Sequence, residues 1–119
     1  MEILTELQNI LADLLDIEAE EIQPDTYVIR DLEVESIDLL ELAVLLNSKF
    51  KLKVDDNQAF LLEIRYQLHR QKRRNQLEVL QEVYPHIPLI RCEEIVADLQ
   101  NGPVLKTKDI ISYLEFMGR

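Results

Sequence analysis

The fold class this sequence predicts is all-α, a single domain, and three observations carry it. Apolar residues recur at helical spacing in one segment after another. Only two glycines and four prolines occur in 119 residues, too few for a strand-rich chain full of tight turns. At this length one domain is expected, and 47% apolar content is enough to give it a core.

Residues 3–15 place Ile3, Leu7, Ile10, Leu11, Leu14 and Leu15 on one helical face, with Glu6, Gln8, Asn9 and Asp13 opposite. The stretch 16–35 reads as a structured loop. Pro24 disfavours a helical Gln23, Pro-Asp-Thr is turn chemistry, and Ile17, Ile22, Tyr27, Val28 and Leu32 can pin the loop to the core. From Ser36 to about residue 50 a strong helix is apolar nearly all the way round, which suits a central helix packed on several neighbours. Residues 57–84 carry two apolar stripes separated by "HRQKRRNQ", so either one long helix leaves the core there or two helices meet at a polar turn. "YPHIP" ends that region. "LIRCEEIVADLQNG" is a further short helix terminated near Gly102, and "TKDIISYLEFM" is a last amphipathic helix with Thr107 as its N-cap.

Charge excludes one class of partner. With 13 basic and 23 acidic residues the net charge is −10, so a phosphate backbone would be repelled and nucleic acid is not expected. The single cysteine, Cys92, allows no internal disulfide, reads as a buried core thiol, and makes no metal-ligand spacing with His69 or His86. The two histidines read as surface or turn residues, and the four tyrosines mostly as packing. "MEILTELQ" is acidic where a signal peptide is basic, and no apolar run is long enough to span a bilayer, so a cytoplasmic protein is expected.

Ser36, in "RDLEVESIDLLEL", is the candidate for chemistry. Taken alone, a serine at a helix start is most simply an N-cap, worth about 1 kcal/mol. A nucleophile would need a nearby base, and neither histidine falls in a recognisable triad order. The third reading is an attachment point: an exposed hydroxyl on a rigid helix end, where backbone amides favour an incoming phosphate.

The ordered set of features resembles the acyl carrier proteins. The resemblance runs through "LTELQNILADLLDIEAEEIQPDTYVIRDLEVESIDLLELAVLLNSKFKLKVDDNQA" and resumes at "VLKTKDIISYLEF". It implies an acyl-carrier-like helical bundle in which Ser36, within Glu35-Ser36-Ile37, carries a covalent 4′-phosphopantetheine arm from coenzyme A. It also implies that Asp31, Glu33, Glu35, Asp38 and Glu41 form an acidic surface for partner enzymes, and that Ile37, Leu39, Leu42 and Leu46 are candidates to shelter an acyl chain. The partners so implied are a phosphopantetheinyl transferase and enzymes that load and use acyl groups; the protein itself catalyses nothing. An aminoacyl or peptidyl carrier of a nonribosomal pathway, or an unmodified helical interaction module, are the alternatives.

Two features depart from the family pattern. Glu33 stands where members usually have glycine, and a positive φ there would cost a glutamate about 1 kcal/mol. Additional helices are inserted at about 61–103, between the second and last core helices of the single unit 1–119. This insert is charge-balanced, so the rest of the chain carries the whole −10. Its basic cluster "RQKRR", residues 70–74, reads first as a solvated turn, and with Lys49, Lys51 and Lys53 it points to a dedicated pathway for a specialised lipid, polyketide or surface glycolipid.

Overall fold

The computed structural model describes residues 2–118, and among them seven α-helices form. They are α1 (Ile3–Leu15), α2 (Ser36–Phe50), α3 (Asp56–Phe60), α4 (Ile64–Arg70), α5 (Gln76–Val83), α6 (Leu89–Asp98) and α7 (Thr107–Met117), with short 3₁₀ turns at Ala19–Glu21 and Leu99–Asn101. The all-α bundle expected from the periodicity is therefore what forms.

The polar interruption is a turn between helices. Leu61 takes a left-handed conformation (φ 54°) and ends α3, since helical hydrogen bonding does not propagate through that geometry. After α4, Asn75 restarts the chain as α5, its side-chain oxygen accepting from the amides of Leu77 (2.9 Å) and Glu78 (3.2 Å). Residues 57–84 are thus three short helices. Thr107 is not the cap of α7. It is the first helical residue, its hydroxyl donating to the Thr26 carbonyl, while the Asp109 carboxylate accepts from the Lys106 amide at 2.9 Å.

The buried residues form one continuous core. Leu7 and Leu11 of α1, Leu42 and Leu46 of α2, and Ile110 and Leu114 of α7 share it with Val79, Leu80, Cys92 and Ile95 of the insert. His86, expected at the surface, is 8% exposed and packs edge-on to Tyr84 and Tyr113. Tyr66, expected to pack, is 60% exposed on α4.

Three ion pairs among the described residues bind the insert to the rest, one of them Lys108 of α7 with Glu94 of α6 at 3.3 Å. Arg91 of α6 donates to both oxygens of Asp109 of α7 (2.8 and 2.9 Å) and to the Val104 carbonyl (2.7 Å), with both side chains buried. Arg30 of the loop before α2 reaches Asp98 at the end of α6 (3.0 Å). α7 itself starts against that loop, through Val28 N–H to the Leu105 carbonyl and Thr107 N–H to the Thr26 carbonyl. It ends beside the segment after α2, where the Asp55 amide donates to the Tyr113 hydroxyl at 3.0 Å. α7 therefore spans from the loop before α2 to the segment after it.

Candidate functional site at the start of α2

Ser36 is the first helical residue of α2 and is exposed. The N-cap is Glu35, in extended conformation, whose amide donates to the Asp38 carboxylate at 2.9 Å. The N-cap position that the simplest sequence reading gave to Ser36 therefore belongs to Glu35, with Asp38 returning the reciprocal bond, and no hydrogen bond engages the Ser36 hydroxyl among the described residues. A rigid helix start holds this hydroxyl while leaving its lone pairs available.

The loop that presents it is built from short-range bonds. Gln23 and Thr26 close a turn after Pro24, the Tyr27 amide donates to the Asp31 carboxylate (2.9 Å), and the Glu33 amide donates to the Ile29 carbonyl (3.0 Å). The chain then reverses at Glu33, whose φ is +55°, and Val34 plugs into the core before α2 begins. Glutamate therefore occupies a left-handed position that favours glycine, the strained case anticipated above.

Residues of the insert clamp the same loop. The Arg30 guanidinium stacks 4.1 Å from the Tyr27 ring centre and bonds Asp98 and the Gly102 carbonyl. Tyr27 donates its hydroxyl to Asp98 at 2.6 Å. That bond to a carboxylate raises the Tyr27 phenol above its ordinary range. Burial alone would raise Asp98, but hydrogen bonds from Tyr27, Asn101 and Arg30 outweigh it and hold the carboxyl well below the usual range. Sequence reading missed this clamp. Tyr27, Arg30 and Asp98 carry no local signature, and 68 residues separate the last two.

The predicted acids divide by duty. Glu33, Glu35 and Glu41 are exposed around the helix start. Asp31 is exposed as well, but its carboxylate ties down Tyr27, and half-buried Asp38 is occupied by the Glu35 amide.

The predicted apolar set also divides. Leu39, Leu42 and Leu46 are buried, but Ile37 is 69% exposed and belongs to no enclosed shelter. With Leu40 (60%) and Val44 (63%) it forms a stripe along the outer face of α2, at positions i, i+3 and i+7. α2 is therefore not surrounded by neighbours. Two helical stripes exist in its sequence, and only packing selects which one faces inward. A cavity of about 200 Å³ lies elsewhere, lined by Ile29, Leu61, Leu62, Ile64, Arg65 and 103–105, and shares no residue with the predicted set.

No group of three or more His, Cys, Asp or Glu side chains forms a metal site among the described residues, and no helix there is long and apolar enough to cross a membrane.

The model of a family described as "Phosphopantetheine attachment site" matches residues 5–63. The chain is 37% identical over 51 residues to an acyl carrier protein of Cyanophora paradoxa, 43% of this chain and half the length of that protein. It is 30% identical over 59 residues to the acyl carrier protein of Helicobacter pylori strain J99, covering 50% of this chain and 76% of that one. Over 58 residues it is 38% identical to the acyl carrier protein of Rubrobacter xylanophilus, covering 49% and 72%. No solved structure gives a significant match.

Proposed function

This chain belongs to the acyl carrier protein family, and we propose that Ser36 is where its 4′-phosphopantetheine arm is joined. The protein is a carrier and not a catalyst, and its prosthetic group is covalent. The observation that carries the assignment to Ser36 is its placement: an exposed hydroxyl, free of hydrogen bonds among the described residues, on the first residue of a capped helix inside the matched segment.

The residues present fit the group. Attachment requires the Ser36 oxygen to displace adenosine 3′,5′-bisphosphate from coenzyme A, forming a phosphodiester, with the hydroxyl proton leaving to the transferase. Because Glu35 and Asp38 cap α2 between them, Ser36 can lose its proton and bear a phosphate without unravelling the helix. The first-turn amides and the helix dipole favour that phosphate, while Glu33 and Glu35 oppose it modestly. Once attached, the arm supplies a terminal thiol that holds an acyl group as a thioester. The chain's own part is to fix one end of the tether and keep its cargo at high effective concentration near a docked enzyme.

Exposed Ile37, Leu40 and Val44, rimmed by Glu33, Glu35 and Glu41, support this face as the surface on which the transferase and the acyl-loading and acyl-using enzymes dock. The insert and exposed Lys51 and Lys53 support a dedicated pathway over general fatty-acid synthesis. The first test is intact mass after incubation with coenzyme A and a broad-specificity transferase. One phosphopantetheinyl group should be gained, and Ser36→Ala should abolish the gain. A gain that survives this substitution, or none in the unaltered chain, overturns the assignment. Failure to replace a housekeeping carrier in reconstituted fatty-acid synthesis is expected for a dedicated pathway, and efficient replacement would refute it.

A further inference from the structure

The solvent face of α4 carries exposed cations after Glu63, and its first turn is tied to the loop that leads to Ser36. Leu61, Ile64 and Leu68 point into the core, so the opposite side presents Leu62, Arg65, Tyr66, His69 and Arg70, all exposed, followed by Lys72 and Arg73. Its place relative to Ser36 is set by contacts. Arg65 and Arg30 donate to the same carbonyl, that of Gly102. Arg65 and Leu62 line one cavity with Ile29, and the Ile29 carbonyl holds the Glu33 amide. Three residues on from Glu33, within about 11 Å along the chain, stands Ser36. An enzyme whose footprint covers both Ser36 and this loop thus meets acids at the helix start and cations on α4.

Resting on the assignment of Ser36, we propose that the insert makes the docking face of this carrier bipolar. The partner it fits is an enzyme whose carrier-binding surface is basic over α2 and acidic over α4. An enzyme surface that is basic throughout gains on the first flank and is repelled by Arg65 and Arg70 on the second. Specificity so built combines attraction to the right partner with repulsion of the wrong one.

The test uses the intact chain and a broad-specificity phosphopantetheinyl transferase with a basic carrier-binding surface, reading kcat/KM for arm transfer at low and high salt. Arg65→Glu with Arg70→Glu should raise kcat/KM about fivefold or more at low salt, and high salt should shrink the gain. Lys51→Glu with Lys53→Glu changes net charge equally, but lies beyond the far end of the 15-residue α2, about 22 Å from Ser36. This control should move kcat/KM less than twofold. Circular dichroism checks that both variants are folded, and Arg65→Gln with Arg70→Gln, which removes charge without reversing it, should fall between. Equal effects of the two reversals would reduce the phenomenon to net charge and overturn the proposal, as would no gain or a loss at Arg65 and Arg70. No arm transfer to any form would instead overturn the assignment of Ser36.

Discussion

Breaking the Arg91–Asp109 pair should cost more than any surface change in this protein. Arg91 is 4% exposed and Asp109 is 1% exposed, and the carboxylate has a second duty as the cap of α7. Arg91→Met leaves a buried carboxylate without its cation and the Val104 carbonyl without its donor. Removing one partner of a buried pair costs about 3–5 kcal/mol. A domain of this size has about 5–15 kcal/mol in total. Asp109→Asn alone leaves the buried guanidinium only partly exposed Glu94 as a counter-charge at 3.3 Å, and should cost somewhat less, since the asparagine oxygen can still accept from Lys106. Combining the two removes both charges and keeps the cap, so the double variant should lose only about 1–2 kcal/mol, mainly the unmet Val104 carbonyl. The coupling between the sites should then exceed about 2 kcal/mol.

The assay is urea denaturation followed by far-ultraviolet circular dichroism, since the chain has no tryptophan. Arg91→Met should lower the midpoint by about 2 M with one transition and an unchanged slope. Because the pair joins the insert to α7, a single transition reports that the insert and the carrier-like helices unfold together. Additive losses, or a loss below about 1 kcal/mol for Arg91→Met, would refute the reasoning. A second transition would refute the reading of residues 1–119 as one cooperative unit.

Three further outcomes follow from particular contacts. Glu33→Gly should relieve the left-handed strain and raise stability by about 0.5–1 kcal/mol, whereas Glu33→Val should lower it; a fall in urea midpoint for the glycine variant would contradict the strain. Ser36→Ala should leave stability within about 0.5 kcal/mol while Asp38→Ala costs about 1 kcal/mol, because Asp38 accepts from the N-cap amide of Glu35; the reverse order would restore the capping role to Ser36. Burial pushes the His86 imidazole down to about 4, with Asp109 pulling weakly the other way. Since the unfolded value is about 6.5, the unfolded chain binds more protons between those limits, and stability should fall by about 3 kcal/mol as pH drops from 6.5 to 4. Asp98, whose carboxyl is held low, contributes stability above about pH 4 and loses it only at lower pH, so the two effects separate. Urea midpoints of His86→Phe should be flatter between pH 6.5 and 4.5, and an unchanged slope would show that His86 is not the source.

Local chemistry made much of this protein legible. The helical period located α1, α2, α6 and α7, Pro85 and Pro88 marked the end of α5, and Pro-Asp-Thr marked the turn that leads to Ser36. Such features depend on neighbours within a few residues, which a sequence displays directly. The resemblance of the same stretches to a carrier family added the meaning of Ser36.

The sequence by itself therefore determined four of the seven described helices, the acidic character of the carrier part, and a serine at a helix start, while leaving open the three short helices α3, α4 and α5. Tertiary structure decided which of two apolar stripes on α2 faces the core, turning Ile37, Leu40 and Val44 outward. It also drew His86 inside, set Glu33 at positive φ, and brought Asp98 and Arg65 from the insert against the loop before Ser36. Contacts across about 70 residues leave no periodic trace, because they depend on where whole helices lie once the core has formed.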